Sequence, residues 1–420
     1  MNRRQRLKTL VALTSVCFFL LLSVLADRLV ALAVPAIPVP IAHPPNFQEH
    51  RRTIEFSVDF RTNSQGLRYR EIPLTKQSGN EFRVVVLGDS MTEGWGVEAE
   101  QTFTSVLEKT LSSVRRTFYF INCGLAGTGP LQYGRILASV GLKYHPDLVL
   151  VALHTNDLSD TPEDADLNVV RNWRGRYEVQ SPKSLWPPGG VIKKTIHFFW
   201  PWSYARLQNL SLQRAKKEVS RLGFIARVTE IARRSGVPEA RVRAWQEKIP
   251  REIVEACDRN EFDPAKAMMG CLFPDRAVQE LDVQGELAEK QWTSMRRILG
   301  QISDLCRKEG IKLAVVYTPS PFQYDETIGT LRKTLGVRVR REWLTEESSE
   351  LERRIARWAE ESRVPYFSLT GTFREAAGRS PGRFNFPLDE HWTPEGHKVA
   401  AQAISGWLTG QGLVGSEAQK

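Results

Sequence analysis

Cysteine is too scarce here to hold the chain together covalently. Five are spread over 420 residues, with no Cys-x-x-Cys pair and no Cys/His cluster, so a disulfide scaffold is excluded and no metal motif is present. Cys17 lies in an apolar run, and Cys123 and Cys306 fall in a strand and a helix pattern. Cys257 and Cys271, which flank a short loop-rich stretch, are the one pair that could bridge in an oxidising compartment. Internal repeats are absent, and the only low-complexity tract is a proline-rich stretch at 35–48, which reads as a stiff extended spacer. With 41% apolar and 25% charged residues, the chain is globular and long enough for one large or two ordinary domains.

Long hydrophobic runs are also lacking, with one exception. Arg3, Arg4, Arg6 and Lys8 precede an apolar run from Leu10 to Ala26, interrupted only by Thr14, Ser15 and Ser23. A basic flank before such a run marks an export signal or a membrane anchor. Val24-Leu25-Ala26 resembles a cleavage site, but a second apolar patch from Leu29 to Val34 follows Asp27-Arg28 and favours an uncleaved anchor. Either way the basic end stays in the cytoplasm and the rest of the chain faces outward. The formal charge of +10 is concentrated: residues 193–251 hold fourteen Lys or Arg against four Glu. Anionic lipid headgroups or acidic glycans are the partners this segment would suit.

Beyond the spacer, apolar runs alternate with helical patterns. FRVVVLG (82–88), FYFINCG (118–124), DLVLVAL (147–153), KLAVVYT (312–318) and VPYFSL (364–369) read as strands covered on both faces. Helices are expected over 101–113, 130–141, 285–309, 346–362 and 395–408. The alternation predicts an α/β fold, a parallel five-stranded sheet between two helical layers. The interval 158–285 is too long for a connection and predicts a largely helical inserted cap. The expected organisation is therefore an anchor or signal at 1–34, the spacer at 35–48, a first part of the main domain at 49–157, the cap, and a second part at 286–420. Within the cap, HFFWPWSY (197–204) is an aromatic cluster beside Lys193 and Lys194. VTEIARRSGVPEARVRAWQ (228–246) has the spacing of a helix-turn-helix, with Ala232, Gly236, Val237, Val242 and Trp245 at the packing positions. The export signal keeps this segment away from DNA, so no nucleic-acid partner is expected.

In an open parallel sheet, ligands bind beyond the carboxyl ends of the strands. Three strand ends carry small or polar residues here: Gly88-Asp89-Ser90, Asn122 to Gly127, and His154-Thr155-Asn156-Asp157. In VVVLGDSMTEG (84–94) a buried strand stops at a turn whose serine would expose its hydroxyl at a helix start. Such a serine becomes a nucleophile only beside a base. Among seven histidines, His391 shares a short loop with Asp389 in LDEHWTPEGHKVAAQAI (388–404), just before a helix that Thr393-Pro394-Glu395 would start. A carboxylate that close can fix the tautomer of the imidazole. His397, in the following helix, is the reserve base.

These blocks resemble the SGNH, or GDSL-type, family of esterases and lipases. Gly88-Asp89-Ser90 matches its first block, Asn122–Gly127 its second, Asn156 its third, and Asp389 with His391 its last; the likeness spans 82–157 and 312–410. The resemblance implies a flavodoxin-like three-layer fold and Ser90 as nucleophile. It also implies His391 as base, Asp389 as its orienting partner, and an oxyanion hole formed by the N–H groups of Ser90 and Gly127 with the Asn156 amide. It implies no cofactor and no metal. The chain departs from the pattern twice: His154 stands where the third block usually begins with Gly, and Asp389 and His391 are two rather than three apart. The shorter spacing is similar to that of relatives that O-acetylate exopolysaccharides. The expected function is an extracytoplasmic serine ester hydrolase acting on O-acyl esters of a carbohydrate or small molecule. The alternative is an O-acyltransferase modifying a cell-envelope or extracellular polysaccharide.

Overall fold

The strand at Glu81–Gly88 is buried along its whole length, and its side chains feed two separate cores. Val85 and Leu87 join one, Val84 and Val86 the other, as the alternation of side chains across a strand requires. The computed structural model describes residues 3–33, 42–113, 115–171, 177–179, 199–200 and 222–414. In chain order the elements are Arg3–Ala33 (α1), a hairpin of Gln48–Arg52 (β1) and Ser57–Arg61 (β2), Glu81–Gly88 (β3), Ser90–Glu93 (α2), Phe103–Leu111 (α3), Thr117–Gly124 (β4), Pro130–Ser139 (α4) and Leu148–His154 (β5). A small hairpin, Val169–Arg171 (β6) and Tyr177–Val179 (β7), precedes the helices Phe224–Arg234 (α5), Glu239–Gln246 (α6), Arg251–Asp258 (α7), Pro264–Leu272 (α8) and Arg276–Asp282 (α9). Then come Glu286–Lys308 (α10), Lys312–Thr318 (β8), Glu326–Thr334 (α11), Glu350–Glu361 (α12), Tyr366–Ser368 (β9), Thr370–Arg379 (α13) and Pro394–Gly410 (α14).

The main sheet has five strands in the order β4-β3-β5-β8-β9, every neighbouring pair parallel. One face is covered by α4, α10 and α12 through residues such as Leu137, Ile298, Ile302 and Trp358. The other is covered by α3, α13 and α14 through Phe103, Phe373, Ala401 and Ile404. This is the three-layer, flavodoxin-like α/β architecture expected from the sequence. The chain leaves β3 toward β4 on one side and continues to β5 on the other, so the strand order reverses at β3 and the crevice beyond β3 and β5 is the place for a ligand.

The chain divides into two compact units, residues 1–40 with 181–223 and residues 41–180 with 224–420. In the first, α1 contains a stretch, Arg3–Leu29, long and apolar enough to cross a membrane, and its apolar side chains, Phe19 and Leu21 among them, are exposed. Such a helix fits a signal anchor or a signal sequence. Of the aromatic cluster 197–204 only Phe199 and Trp200 lie within the described residues; the Trp200 indole N–H donates to the Ser23 hydroxyl of α1 at 3.1 Å. Residues 35–41 of the spacer, Lys193 and Lys194, and the basic stretch 201–221 lie outside the described residues.

In the second unit α5 to α8 pack around Phe224, Val228, Ala232, Trp245 and Ile253, a core that also takes in Leu335 from the end of α11, while α9 packs through Ala277, Val278 and Leu281 against Phe322, Ile328 and Trp343. The helix-turn-helix spacing corresponds to α5 and α6, with Gly236 at φ +71° in the turn and Ala232, Val242 and Trp245 buried. Some of the positive charge here is spent locally: Arg233 and Arg234 pair with Glu230, and Arg251 with Glu255. The bridge between Cys257 and Cys271 is not formed; all five cysteines are free thiols. Each of the two sits in the apolar core of the α5–α8 bundle, where burial pushes Cys257 up to about 12 and also raises Cys271. Several element bounds also differ from expectation. The helix expected from 346 starts at Glu350, because the Ser349 side chain caps it by accepting from the Glu352 N–H. The last strand shrinks to Tyr366–Ser368 at the sheet edge.

Candidate active site

The turn after β3 is tight because Gly88 has no side chain. A Cβ there would approach Thr92 Oγ1 to 2.0 Å and the Ala152 carbonyl oxygen to 3.0 Å. Asp89 then caps α2, its carboxylate accepting from the Met91 N–H at 2.9 Å, and Ser90 opens the helix. From the far end of the chain His391 arrives opposite it. His391 Nε2 lies 2.7 Å from Ser90 Oγ, and His391 Nδ1 is bonded to Asp389 Oδ1. A carboxylate can only accept, so Nδ1 carries the hydrogen and Nε2 is left free to take the serine proton.

Asp389 is held from three sides. Its second oxygen accepts from the Trp95 indole N–H at 3.2 Å, and its backbone N–H, with that of Leu388, donates to the Glu55 carboxylate at 2.7 and 2.8 Å. Burial works to raise its carboxyl, yet the His391 partner, joined by Lys266, brings it down to about 2. It therefore remains an anion across the physiological range.

The residue between them explains how a two-residue spacing works. Glu390 has φ +72°, a left-handed conformation that a side-chain-bearing residue adopts at a cost of roughly 1–3 kcal/mol, and it turns the backbone so that Asp389 and His391 face each other. Four contacts hold it there. Arg332, whose side chain is fully buried, donates to Glu390 Oε1 and to the Leu388 carbonyl, each at 2.5 Å. Lys266 of α8 donates to Glu390 Oε2 at 3.1 Å, and Asn385 Nδ2 donates to the Glu390 carbonyl at 2.8 Å.

Ser90, Gly127, His154, Asn156 and His391 line one cavity of about 450 Å³. Gly127 takes φ +69° in the loop after β4. That loop is pinned by the Leu125 N–H donating to the Gly88 carbonyl at 3.0 Å and the Ala126 N–H donating to the buried Glu93 carboxylate at 3.2 Å. Glu93 is itself paired with His43 at 2.6 Å and Arg51 at 3.1 Å. Asn122 does not reach the cavity; it ties Thr92 to Gly124 as a buried strut. Asp157 is likewise structural, accepting from Tyr133 and from the His154 N–H. Asn156 Nδ2 donates to Asp160 at 2.9 Å, which leaves one amide hydrogen uncommitted among the described residues, while its Oδ1 is buried with no partner among them. His397 is not in the cavity: it is buried beside Phe103 and Trp392, accepts from the Phe103 N–H at 3.2 Å, and burial lowers it to about 3.

The far wall comes from the segment expected to be a cap: Asp263, Lys266 and Met269 in or beside α8, and Arg276 and Glu280 in α9. Arg276 donates to Glu280 at 2.7 Å and contacts Asp160 at 3.4 Å. Burial raises the Asp160 carboxyl to about 6, with Arg276 pulling it back. Because this folded value lies above that of the unfolded chain, the ionised form costs stability above about pH 6 and the cost fades as pH falls toward 4. Asp160→Asn is therefore expected to raise Tm at pH 8 relative to the wild type and to lose that advantage at pH 4; thermal unfolding at the two pH values checks it.

Sequence reasoning missed Glu55, Trp95, Glu93 and Arg332. Each is a single residue far along the chain from the groups it supports, with no local pattern to mark it. The turn Thr62–Arg68 carries Arg68, which donates to the carbonyls of Glu93, Gly94 and Val97 at 3.1, 2.5 and 2.5 Å and so buttresses the segment after Ser90.

No protein-family model and no curated protein matches the sequence. Solved structures similar to this chain include an acetyl xylan esterase, AlAXEase, at 10% identity and TM-score 0.36, covering 77% of this chain and 98% of that one. A catalytic mutant of Axe2, an acetylxylan esterase from Geobacillus stearothermophilus, is similar at 9% identity and TM-score 0.37, covering 79% and 96%. A lipolytic protein of the G-D-S-L family from Desulfitobacterium hafniense is similar at 10% identity and TM-score 0.34, covering 78% and 99%.

Proposed function

We propose that this chain is a serine ester hydrolase of SGNH type, anchored by α1 with its catalytic unit outside the cytoplasm, acting on O-acyl esters of a carbohydrate or small molecule. The observation that carries the reading is the 2.7 Å contact between Ser90 Oγ and His391 Nε2, with Asp389 bonded behind the ring. His391 takes the Ser90 proton as Oγ attacks the ester carbonyl, and the resulting imidazolium is stabilised by Asp389. The negative charge that develops on the carbonyl oxygen is met by the Ser90 and Gly127 N–H groups and the free hydrogen of the Asn156 amide. His391 then protonates the departing alcohol, and water, activated by the same ring, releases the acid.

The cavity wall supports a short acyl group on a polar alcohol. Asp160, Asp263, Lys266, Arg276, Glu280 and Glu390 line it beside Trp95 and Phe322, and a long alkyl chain laid along those charges would desolvate them without repayment. Turnover of aryl acetate, butyrate and octanoate by the full chain in detergent, beside Ser90→Ala, tests the reading. Turnover of the short esters that the variant lacks is expected; turnover that persists in the variant rejects it. Asn156→Ala is expected to lower kcat by about 10²–10³-fold with little change in KM, as loss of one oxyanion donor does elsewhere, and steady-state kinetics on aryl acetate checks it.

A second reading, O-acyl transfer to a cell-envelope or extracellular polysaccharide, is favoured by the Asp-x-His spacing and uses the same residues, with a sugar hydroxyl in place of water at the acyl-enzyme. Acceleration of aryl acetate turnover by a glycan acceptor, with the acetyl group recovered on the glycan, would establish it.

A further inference from the structure

His154 is the cavity residue whose chemistry the proposed reaction leaves unused. It ends β5 at the carboxyl edge of the sheet and lines the cavity with Ser90 and His391. Both hydrogen bonds of its ring run through Nδ1, which lies 2.8 Å from the Thr318 carbonyl oxygen and 3.1 Å from Thr318 Oγ1. A carbonyl oxygen can only accept, so Nδ1 carries the hydrogen. The Thr318 hydroxyl donates its own hydrogen to the Leu153 carbonyl at 3.1 Å, so it too offers His154 only lone pairs. The lone pair of the neutral ring is thereby fixed on Nε2, which makes no hydrogen bond to a described residue. Burial holds the ring below the ordinary imidazole value, outweighing the nearby Asp89, so the acceptor is not lost to protonation near neutral pH.

A fixed, unpaired acceptor in a site that a substrate must dry out has a consequence. The ring cannot exchange tautomers without breaking its bond to the Thr318 carbonyl, so an occupant that displaces water must bring a donor to Nε2 or leave it unsatisfied. A short acyl group has no donor; the hydroxyls of a polyhydroxylated alcohol do. We propose that His154 is a specificity residue whose Nε2 accepts a hydrogen bond from a free hydroxyl on the alcohol part of the ester, which selects sugar-like alcohols. This rests on the ester-hydrolase reading above and narrows its substrate.

The test uses the full chain in detergent with three acetates: a monoacetylated methyl glycoside with free hydroxyls, the same acetate with those hydroxyls O-methylated, and an aryl acetate. The wild type is expected to prefer the free-hydroxyl glycoside over its O-methylated form by about 10-fold or more in kcat/KM. His154→Phe, which keeps a ring and removes the acceptor, should abolish that preference, and His154→Gln, whose Oε1 still accepts, should retain part of it. Absence of the preference in the wild type, or its survival in His154→Phe, overturns the proposal; the wild-type comparison needs no variant, so misfolding cannot shield it. Aryl acetate turnover that depends on Ser90 without any hydroxyl preference defeats this proposal alone. Turnover of none of the three, or turnover surviving in Ser90→Ala, defeats the underlying reading.

Discussion

Ser90→Ala is expected to lower ester turnover by roughly 10⁴–10⁶-fold, because removing the proposed nucleophile disables every group arranged to serve it. The fold should survive. Ser90 is partly buried at the start of a four-residue helix, the turn is set by Asp89 and Gly88, and Ser90 Oγ has no strong bond besides the one to His391, its contact with Asp89 being 3.5 Å long. The unfolding midpoint should therefore stay within about 2 °C, since a single weakly bonded hydroxyl contributes about 1 kcal/mol at most. Loss of turnover together with loss of the native unfolding transition would leave the chemical role unsupported, whereas loss of turnover alone supports it. His391→Ala should match it in size, because triad members act as a unit.

The second large effect lies away from the reacting atoms. Arg332→Met removes the buried cation that holds Glu390 at φ +72° and binds the Leu388 carbonyl. Breaking such a buried pair costs about 3–5 kcal/mol, much of it for the partner left behind. Here Lys266 remains as a second partner of Glu390, which places the expected loss toward the lower end. The kinetic consequence separates positioning from mere stability. With the support gone, Glu390 can relax from its left-handed conformation and swing His391 away from Ser90, and a displacement on the order of 1 Å can cost about 10²-fold in rate. Measured well below its unfolding midpoint, Arg332→Met should show reduced kcat with KM little changed, and Arg332→Lys should recover part of it. A variant that is less stable but fully active when folded would mean that Arg332 supports the unit and not the catalytic loop.

The features readable in the sequence are those with a local signature. The five main strands carry apolar side chains for both faces of the sheet, so each appears as a short continuous run, and the residues at their carboxyl ends stand out by contrast. Ser90 and Asn156 stand out that way, and Asp389 and His391 stand out as a carboxylate and an imidazole sharing one short loop before a helix. The β1–β2 hairpin was not, because β1 reads QEHRR and is exposed or half-buried throughout; nothing in its composition marks a strand, and its pairing with β2 defines it. The supports of the site were illegible for a different reason. Trp95 meets Asp389 across 294 positions of sequence, and Glu55 reaches Leu388 across 333, so their roles exist only once the chain has folded. The spacing of Asp389 and His391 was visible, but its mechanical basis, a strained Glu390 gripped by Arg332 and Lys266, depends on α8 and α11 being brought to the same loop. The Cys257–Cys271 pairing failed because proximity along a loop-rich stretch does not say which way two helical side chains point.

Covalent labelling of the full-length protein with a fluorophosphonate probe, followed by peptide mass spectrometry, addresses whether Ser90 is an activated nucleophile. Attack on the probe's phosphorus needs a serine whose proton is accepted by a neighbouring base and an oxyanion site to receive the developing charge. A single adduct on the peptide carrying Ser90, absent from Ser90→Ala and strongly slowed in His391→Ala, is the expected result. No adduct on a folded chain, or an adduct on another residue that persists when Ser90 is replaced, would contradict the Ser90–His391–Asp389 assignment.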